Sequence, residues 1–114
     1  MKLYGLRNCD SCKKALKEIK SAQKDIEFVD IRENFVSPDI LQDWLDQHGD
    51  AVLVNRNSTT WRNLDDMDRQ TPVPILLQTH PTLIKRPVIV IGIDSYVGWN
   101  AVVKSALGIN KSAI

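Results

Sequence analysis

Two cysteines, in Cys9-Asp10-Ser11-Cys12, separate the apolar run Met1 to Leu6 from a lysine-rich amphipathic stretch that starts at Lys13. Such a pair constrains the fold because it marks a strand-to-helix junction with both thiols at the helix start. A helix N-terminus carries about half a positive charge and several unpaired N–H groups, and both favour a thiolate. A free cysteine titrates near ~8.5, whereas one in this setting falls to about 3.5–7.5. The gain in attack is only about twofold, because a less basic thiolate is also less nucleophilic. The larger benefit is in leaving: a mixed disulfide formed on a low-pKa sulfur is quickly resolved by a second thiol.

Helical phase separates the two sulfurs. Cys12, Ala15, Leu16, Ile19 and Ala22 share one face, and Lys13, Lys14, Lys17 and Lys20 lie mostly off it. Cys12 therefore turns inward, as a core residue or a resolving thiol, and Cys9 is the candidate exposed nucleophile with a lowered pKa. The lysines form a solvated face.

Around this pair the chain reads as strand (Lys2 to Gly5), helix (Asp10 to about Ala22) and strand (Ile26 to Ile31), which is a βαβ unit. Ser37-Pro38-Asp39 opens a second helix with Ser as N-cap and Pro at the first helical position, running to Gly49. From Asp50 to about Ile84 the pattern predicts short helices broken by Pro72, Pro74 and Pro81, one near Leu64 with Asp65, Asp66 and Asp68, another at Ile75-Leu76-Leu77. Pro87 to Ile91 reads as a buried strand, Gly92 to Ser95 as a turn and Tyr96-Val97 as its partner strand. A last helix from about Trp99 to Leu107 stops at Gly108, and Asn110 to Ile114 reads as a frayed tail.

The expected fold is α/β: a thioredoxin/glutaredoxin-like sheet with a helical insertion between the βαβ unit and a C-terminal β-hairpin and helix. It is expected as one domain over 1–114, with the core at about 1–32 and 84–109 and the insertion at about 33–83. No internal repeat or linker argues for a second domain.

Composition excludes several classes. With 15 basic and 14 acidic residues the net charge is +1, so neither direct nucleic-acid binding nor attraction to an anionic membrane is expected. Two cysteines are too few for a secreted disulfide scaffold. The start lacks the apolar core of a signal peptide and no apolar run approaches ~18 residues, so a reducing, cytoplasmic setting is expected. His48 and His80 lack zinc-finger spacing from the cysteines, so no metal site is expected, and His48 before Gly49 suits a helix C-terminus. Trp44, Trp61 and Trp99 are expected to pack. The chain is expected to be a monomer.

Four blocks carry a family likeness: Tyr4-Gly5-Leu6-Arg7-Asn8-Cys9-Asp10, the stretch Asn55-Arg56 to Thr59-Thr60-Trp61-Arg62-Asn63-Leu64-Asp65, Ile84-Lys85-Arg86-Pro87-Val88, and Val97-Gly98-Trp99. Together they resemble the ArsC/Spx family, and the Thr-Thr-Trp-Arg string is most similar to its YffB-like branch. The resemblance covers about Met1 to Leu107. It implies a thioredoxin-like fold, Cys9 as nucleophile, substrate-binding positions at Asn8, Arg56, Arg86 and Pro87, and a cis peptide at Arg86-Pro87. It also implies a glutathione-dependent thiol–disulfide reductase, with glutathione as co-substrate, no tightly bound cofactor, and glutaredoxin or a protein disulfide as a further partner. Cys12 keeps a second reading open, because Spx-like regulators use C-x-x-C as a redox switch and bind RNA polymerase. Arsenate reduction ranks lowest, since Tyr96-Val97-Gly98-Trp99 lacks the third arginine of the glutaredoxin-linked arsenate reductases.

Overall fold

The computed structural model describes residues 1–34 and 36–109, so the expected frayed tail lies outside the described residues. Along the chain come β1 (Lys2–Gly5), α1 (Asp10–Ser21), β2 (Glu27–Asp30), α2 (Pro38–His48), α3 (Asp50–Leu53), α4 (Thr59–Arg62), α5 (Asp66–Arg69), α6 (Val73–Thr79), a 3-10 turn at Pro81–Leu83, β3 (Val88–Ile91), β4 (Asp94–Val97) and α7 (Ala101–Ala106). They group into two compact units, Met1–Asp30 with Arg86–Ile114, and Ile31–Lys85.

The first unit holds a four-stranded sheet of order β2-β1-β3-β4. β1 runs parallel to β2, with Leu3 opposite Phe28, and antiparallel to β3, with Leu3 opposite Ile89. The parallel pair needs a crossover, which α1 supplies, and the antiparallel pair β3–β4 needs only a turn. Leu3 and Ile89 form one buried cluster with Cys12, Ala15 and Ile19 of α1 and with Val103 and Leu107. Both helices thus cover the same sheet face. Each fully buried Leu, Ile or Val side chain contributes about 1.5–3 kcal/mol of transfer energy, so this cluster joins the two helices firmly to the sheet. The arrangement is the thioredoxin-like sheet and helices expected from the sequence.

Three boundaries differ from expectation. The hairpin turn is only Gly92-Ile93, because Asp94 and Ser95 pair with Ile91 and Val90 and so belong to β4. Gly92 takes a φ of +60°, which suits a Gly at the first central position of a two-residue turn. The last helix begins after Trp99: Asn100 caps it, its side chain accepting from Val103 N–H at 3.0 Å. β2 is shorter than Ile26 to Ile31, spanning Glu27–Asp30.

The second unit is helical. Ser37 accepts from Ile40 N–H at 3.3 Å and Pro38 opens α2, which buries Leu41 and Trp44 and ends at Gly49 with a φ of +82°. α2 packs against α3 and α6. Ser58 and Asp65 cap the four-residue helices α4 and α5, accepting from Trp61 and Asp68 N–H. The stretch after α3 is tied to the C-terminal end of the unit by Asn55 N–H to Leu83 O and Lys85 N–H to Leu53 O, both 2.7 Å. Trp61 departs from the expected core packing: it is half-buried, with the Arg56 and Arg69 guanidinium carbons 5.1 and 5.3 Å from its ring centroid. Those cation–π contacts satisfy the ring without enclosing it.

Candidate functional site

The β1–α1 junction is made by a turn in which Cys9 N–H donates to Leu6 O at 3.2 Å, while Cys9 O accepts from Lys13 N–H at 3.0 Å. Cys9 is the N-cap residue of α1, in extended conformation at φ −91° and ψ 120°. It lacks the Ser, Thr, Asp or Asn side chain usual at that position, and no side-chain capping hydrogen bond is closed. Its sulfur is left to chemistry, half-buried at the positive end of the helix.

Three groups act on that sulfur. Partial burial raises the Cys9 pKa, and this is outweighed by the Cys12 backbone N–H, the Cys12 thiol and the Arg86 guanidinium, so the net shift is downward. Cys12 goes the other way. Burial pushes its thiol up to about 12; the Leu6 amide opposes this and Cys9 adds to it. The two sulfurs of the pair are therefore shifted in opposite directions, Cys9 towards the thiolate and Cys12 towards the thiol. A protonated Cys12 donates, and an ionised Cys9 accepts.

Room for Cys12 comes from Gly5. A Cβ at position 5 would lie 2.4 Å from Cys12 Sγ, so the last residue of β1 must lack a side chain for the thiol to seat, fully buried, beside Cys9. Sequence reasoning passed over Gly5, although a glycine within a strand is a known sign of close approach. In the turn itself Arg7 Nε lies 3.5 Å from Asp30, which is 6 % exposed, and its guanidinium carbon is 5.9 Å from the Phe28 ring centroid. These contacts tie the loop bearing Asn8 and Cys9 to the end of β2.

Arg86 lies close enough to the Cys9 sulfur to donate to it. The Arg86-Pro87 bond is cis, as the resemblance implies, and Pro87 O accepts from Gly98 N–H at 2.8 Å. Of the positions expected from the sequence, Cys9, Cys12 and Arg86 thus come together in the first unit, with Asn8 exposed just before Cys9 and Pro87 buried just after Arg86. Arg56 belongs to the second unit, where its Nη2 is 3.2 Å from Asp50. His48 and His80 also belong to that unit. Among the described residues no group of three or more His, Cys, Asp and Glu side chains is arranged to hold a metal, and no helix is long and apolar enough to cross a membrane.

A second network was not legible in the sequence. Glu18 of α1 accepts a hydrogen bond from Trp99 Nε1 and lies 3.3 Å from Lys104 Nζ, and Lys104 stands 5.6 Å from the Trp99 ring centroid. The Trp99 hydrogen bond holds the Glu18 pKa below the usual carboxylate range, with Lys104 adding to it against some desolvation.

Comparison with known proteins follows the same lines. The profile of the ArsC family matches residues 4–103. A protein of Haemophilus influenzae with no characterised function is 39% identical over 103 residues, covering 86% of this chain and 90% of its own. A solved structure described as a YffB protein superposes with a TM-score of 0.85 at 29% identity, over 92% of this chain and 96% of that one. An arsenate reductase-related protein from Brucella melitensis gives 0.70 at 28% identity, over 92% and 91%. An arsenate reductase from Vibrio cholerae gives 0.74 at 18% identity, over 96% and 98%, a likeness of fold.

Proposed function

The chain belongs to the ArsC family, and on that footing we propose that it is a glutathione-dependent thiol–disulfide reductase acting through Cys9 in a reducing compartment. The observation that carries this reading is the Cys9 sulfur at the start of α1, its pKa lowered beside Arg86 and the Cys12 thiol. Cys9 thiolate attacks one sulfur of a disulfide, from a protein or a small molecule. The substrate S–S bond breaks, its other sulfur leaves as a thiolate that takes a proton from water, and Cys9 is held in a mixed disulfide. A first glutathione thiolate displaces the bound substrate thiol and a second releases oxidised glutathione, returning Cys9 to its thiolate. One disulfide is reduced for two glutathiones oxidised.

Cys12 serves better as a donor than as the resolving thiol. Burial, the largest cause of its raised pKa of about 12, persists when Cys9 is tied up in a mixed disulfide and keeps the attacking thiolate scarce. Glutathione carries carboxylates, and a guanidinium beside the reacting sulfur suits one of them bidentately. That is the part proposed for Arg86; the resemblance gives Arg56 the same kind of work.

Reductase kinetics with varied glutathione test the reading. Arg86→Ala and Arg56→Ala should each weaken glutathione use by about 1.5–3 kcal/mol, roughly 10- to 150-fold in apparent affinity; reaction of Cys9 with a small neutral disulfide should be unaffected by Arg56→Ala and slowed by Arg86→Ala only as far as that change raises the Cys9 pKa. Recovery of RNA polymerase with the protein from extract, without saturable glutathione use, would replace this reading with a redox-sensing regulator.

A further inference from the structure

We propose that Glu18 is a positioning residue for the Cys9 thiolate: through Trp99 it holds the end of β4 against Pro87 and so keeps the Arg86 guanidinium on the sulfur. The inference rests on the reading of Cys9 as the reacting thiolate and adds a residue that touches neither sulfur nor substrate.

The contacts close a ring. Cys9 caps α1, and Glu18 lies nine residues further along the same helix. Glu18 accepts from Trp99 Nε1. Trp99 follows Gly98, whose N–H donates to Pro87 O at 2.8 Å. Pro87 follows Arg86, and Arg86 returns to Cys9. Gly98 can make its bend because it has a φ of +86°, a conformation that residues with side chains rarely take. On the far side Asn100 starts α7, which carries Lys104 back to Glu18 at 3.3 Å. The carboxylate thus fixes both ends of the short Trp99–Asn100 connection to the helix that presents Cys9. An indole N–H bonded to a charged acceptor is stronger than a neutral pair, so the link is a firm one.

The sign of the effect separates positioning from field. Lys104 and Lys14 are the charged groups acting on Glu18, and Arg86, with the Cys12 thiol, acts on Cys9. Nine residues of helix span about 14 Å, beyond the Debye length of about 8 Å at physiological salt. What remains of Glu18's own field disfavours a thiolate, so deleting the charge would lower the Cys9 pKa. Loss of positioning raises it.

The test is the pH dependence of iodoacetamide modification at Cys9 in the full chain, read by mass spectrometry, with circular dichroism to verify folding. The variants are Glu18→Ala, Glu18→Gln, Arg86→Ala and the double Glu18→Ala/Arg86→Ala. Glu18→Ala is expected to raise the midpoint by about half to one pH unit and to slow modification below it by about 2- to 4-fold, since the more basic thiolate is also more nucleophilic. Glu18→Gln, whose amide oxygen still accepts from Trp99, is expected to retain most of the wild-type profile. In the Arg86→Ala background Glu18→Ala should add no further shift. An unchanged or lowered midpoint in Glu18→Ala, or an equal added shift in the double variant, overturns the proposal. If Glu18→Ala does not fold, Trp99→Phe removes the same donor while keeping an aromatic ring, and is judged by the same outcomes. A lowered wild-type midpoint with an inert Glu18→Ala defeats this inference alone; an ordinary wild-type midpoint defeats the thiolate reading and this inference with it.

Discussion

Replacing Gly5 with Ala sets a Cβ 2.4 Å from Cys12 Sγ and 3.2 Å from both Cys12 Cβ and Leu3 Cδ2. The sulfur cannot swing into solvent, since Cys12 and Leu3 are fully buried in the cluster that joins α1 to the sheet. Overpacking of this kind costs about 1–3 kcal/mol. Alanine recovers about 0.5–1 kcal/mol over glycine in a strand, leaving a net loss of up to about 2.5 kcal/mol. For a chain of this size that lowers Tm by up to roughly 10 °C at ~4 °C per kcal/mol. Urea unfolding followed by tryptophan fluorescence measures the loss in wild type and in a Cys12→Ala background. Without Sγ the 2.4 Å contact vanishes and only the two 3.2 Å contacts remain, so the loss from Gly5→Ala should there be much smaller. The same loss in both backgrounds would refute the claim that Gly5 exists to seat the Cys12 thiol.

Cys12→Ser, a shorter hydroxyl donor in the same pocket, should retain much of the glutathione-dependent turnover; complete loss with folding intact would make the dithiol cycle obligatory. The alkaline limb of stability should also report Cys12. Its folded pKa of about 12 stands above the ordinary 9.0, so its contribution is complete below pH ~9 and is lost as pH rises from there towards 12, at up to about 1.4 kcal/mol per pH unit. Subtracting the profile of Cys12→Ala removes the lysine and tyrosine titrations from that window, and a difference curve that stays flat from pH 9 upward contradicts the assignment.

The parts legible in the sequence are those set by neighbours along the chain. The opposed exposure of Cys9 and Cys12 follows from helical phase, and the start and stop of α2 from Ser37, Pro38 and Gly49. Where distant residues decide, the pattern fails. Asp94 and Ser95 read as turn residues by type, yet pairing with β3 draws them into β4. Trp99 reads as the first turn of the last helix because it fits the apolar phase, but its indole is claimed by Glu18, 81 positions away, and Asn100 takes the cap. The helices α3, α4 and α5 span four residues each, about one turn, too short for a periodicity to register. The pairing of Arg56 and Arg69 on Trp61 likewise joins separate short elements. The role of Arg86 beside Cys9 had no local signal at all and came from the family resemblance.

The proposed function requires that the Cys12 amide and thiol and the Arg86 guanidinium together hold Cys9 towards the thiolate while Cys12 keeps its proton. The direct measurement is the rate of iodoacetamide modification at each cysteine against pH, resolved by peptide mass spectrometry, in wild type and Arg86→Ala. Cys9 is expected to react with a midpoint below the ordinary cysteine value, Cys12 in the folded protein to stay unmodified through neutral pH, and Arg86→Ala to move the Cys9 midpoint upward. A Cys9 midpoint at or above the ordinary value, faster modification of Cys12 than of Cys9, or a midpoint indifferent to Arg86 would contradict the proposed function.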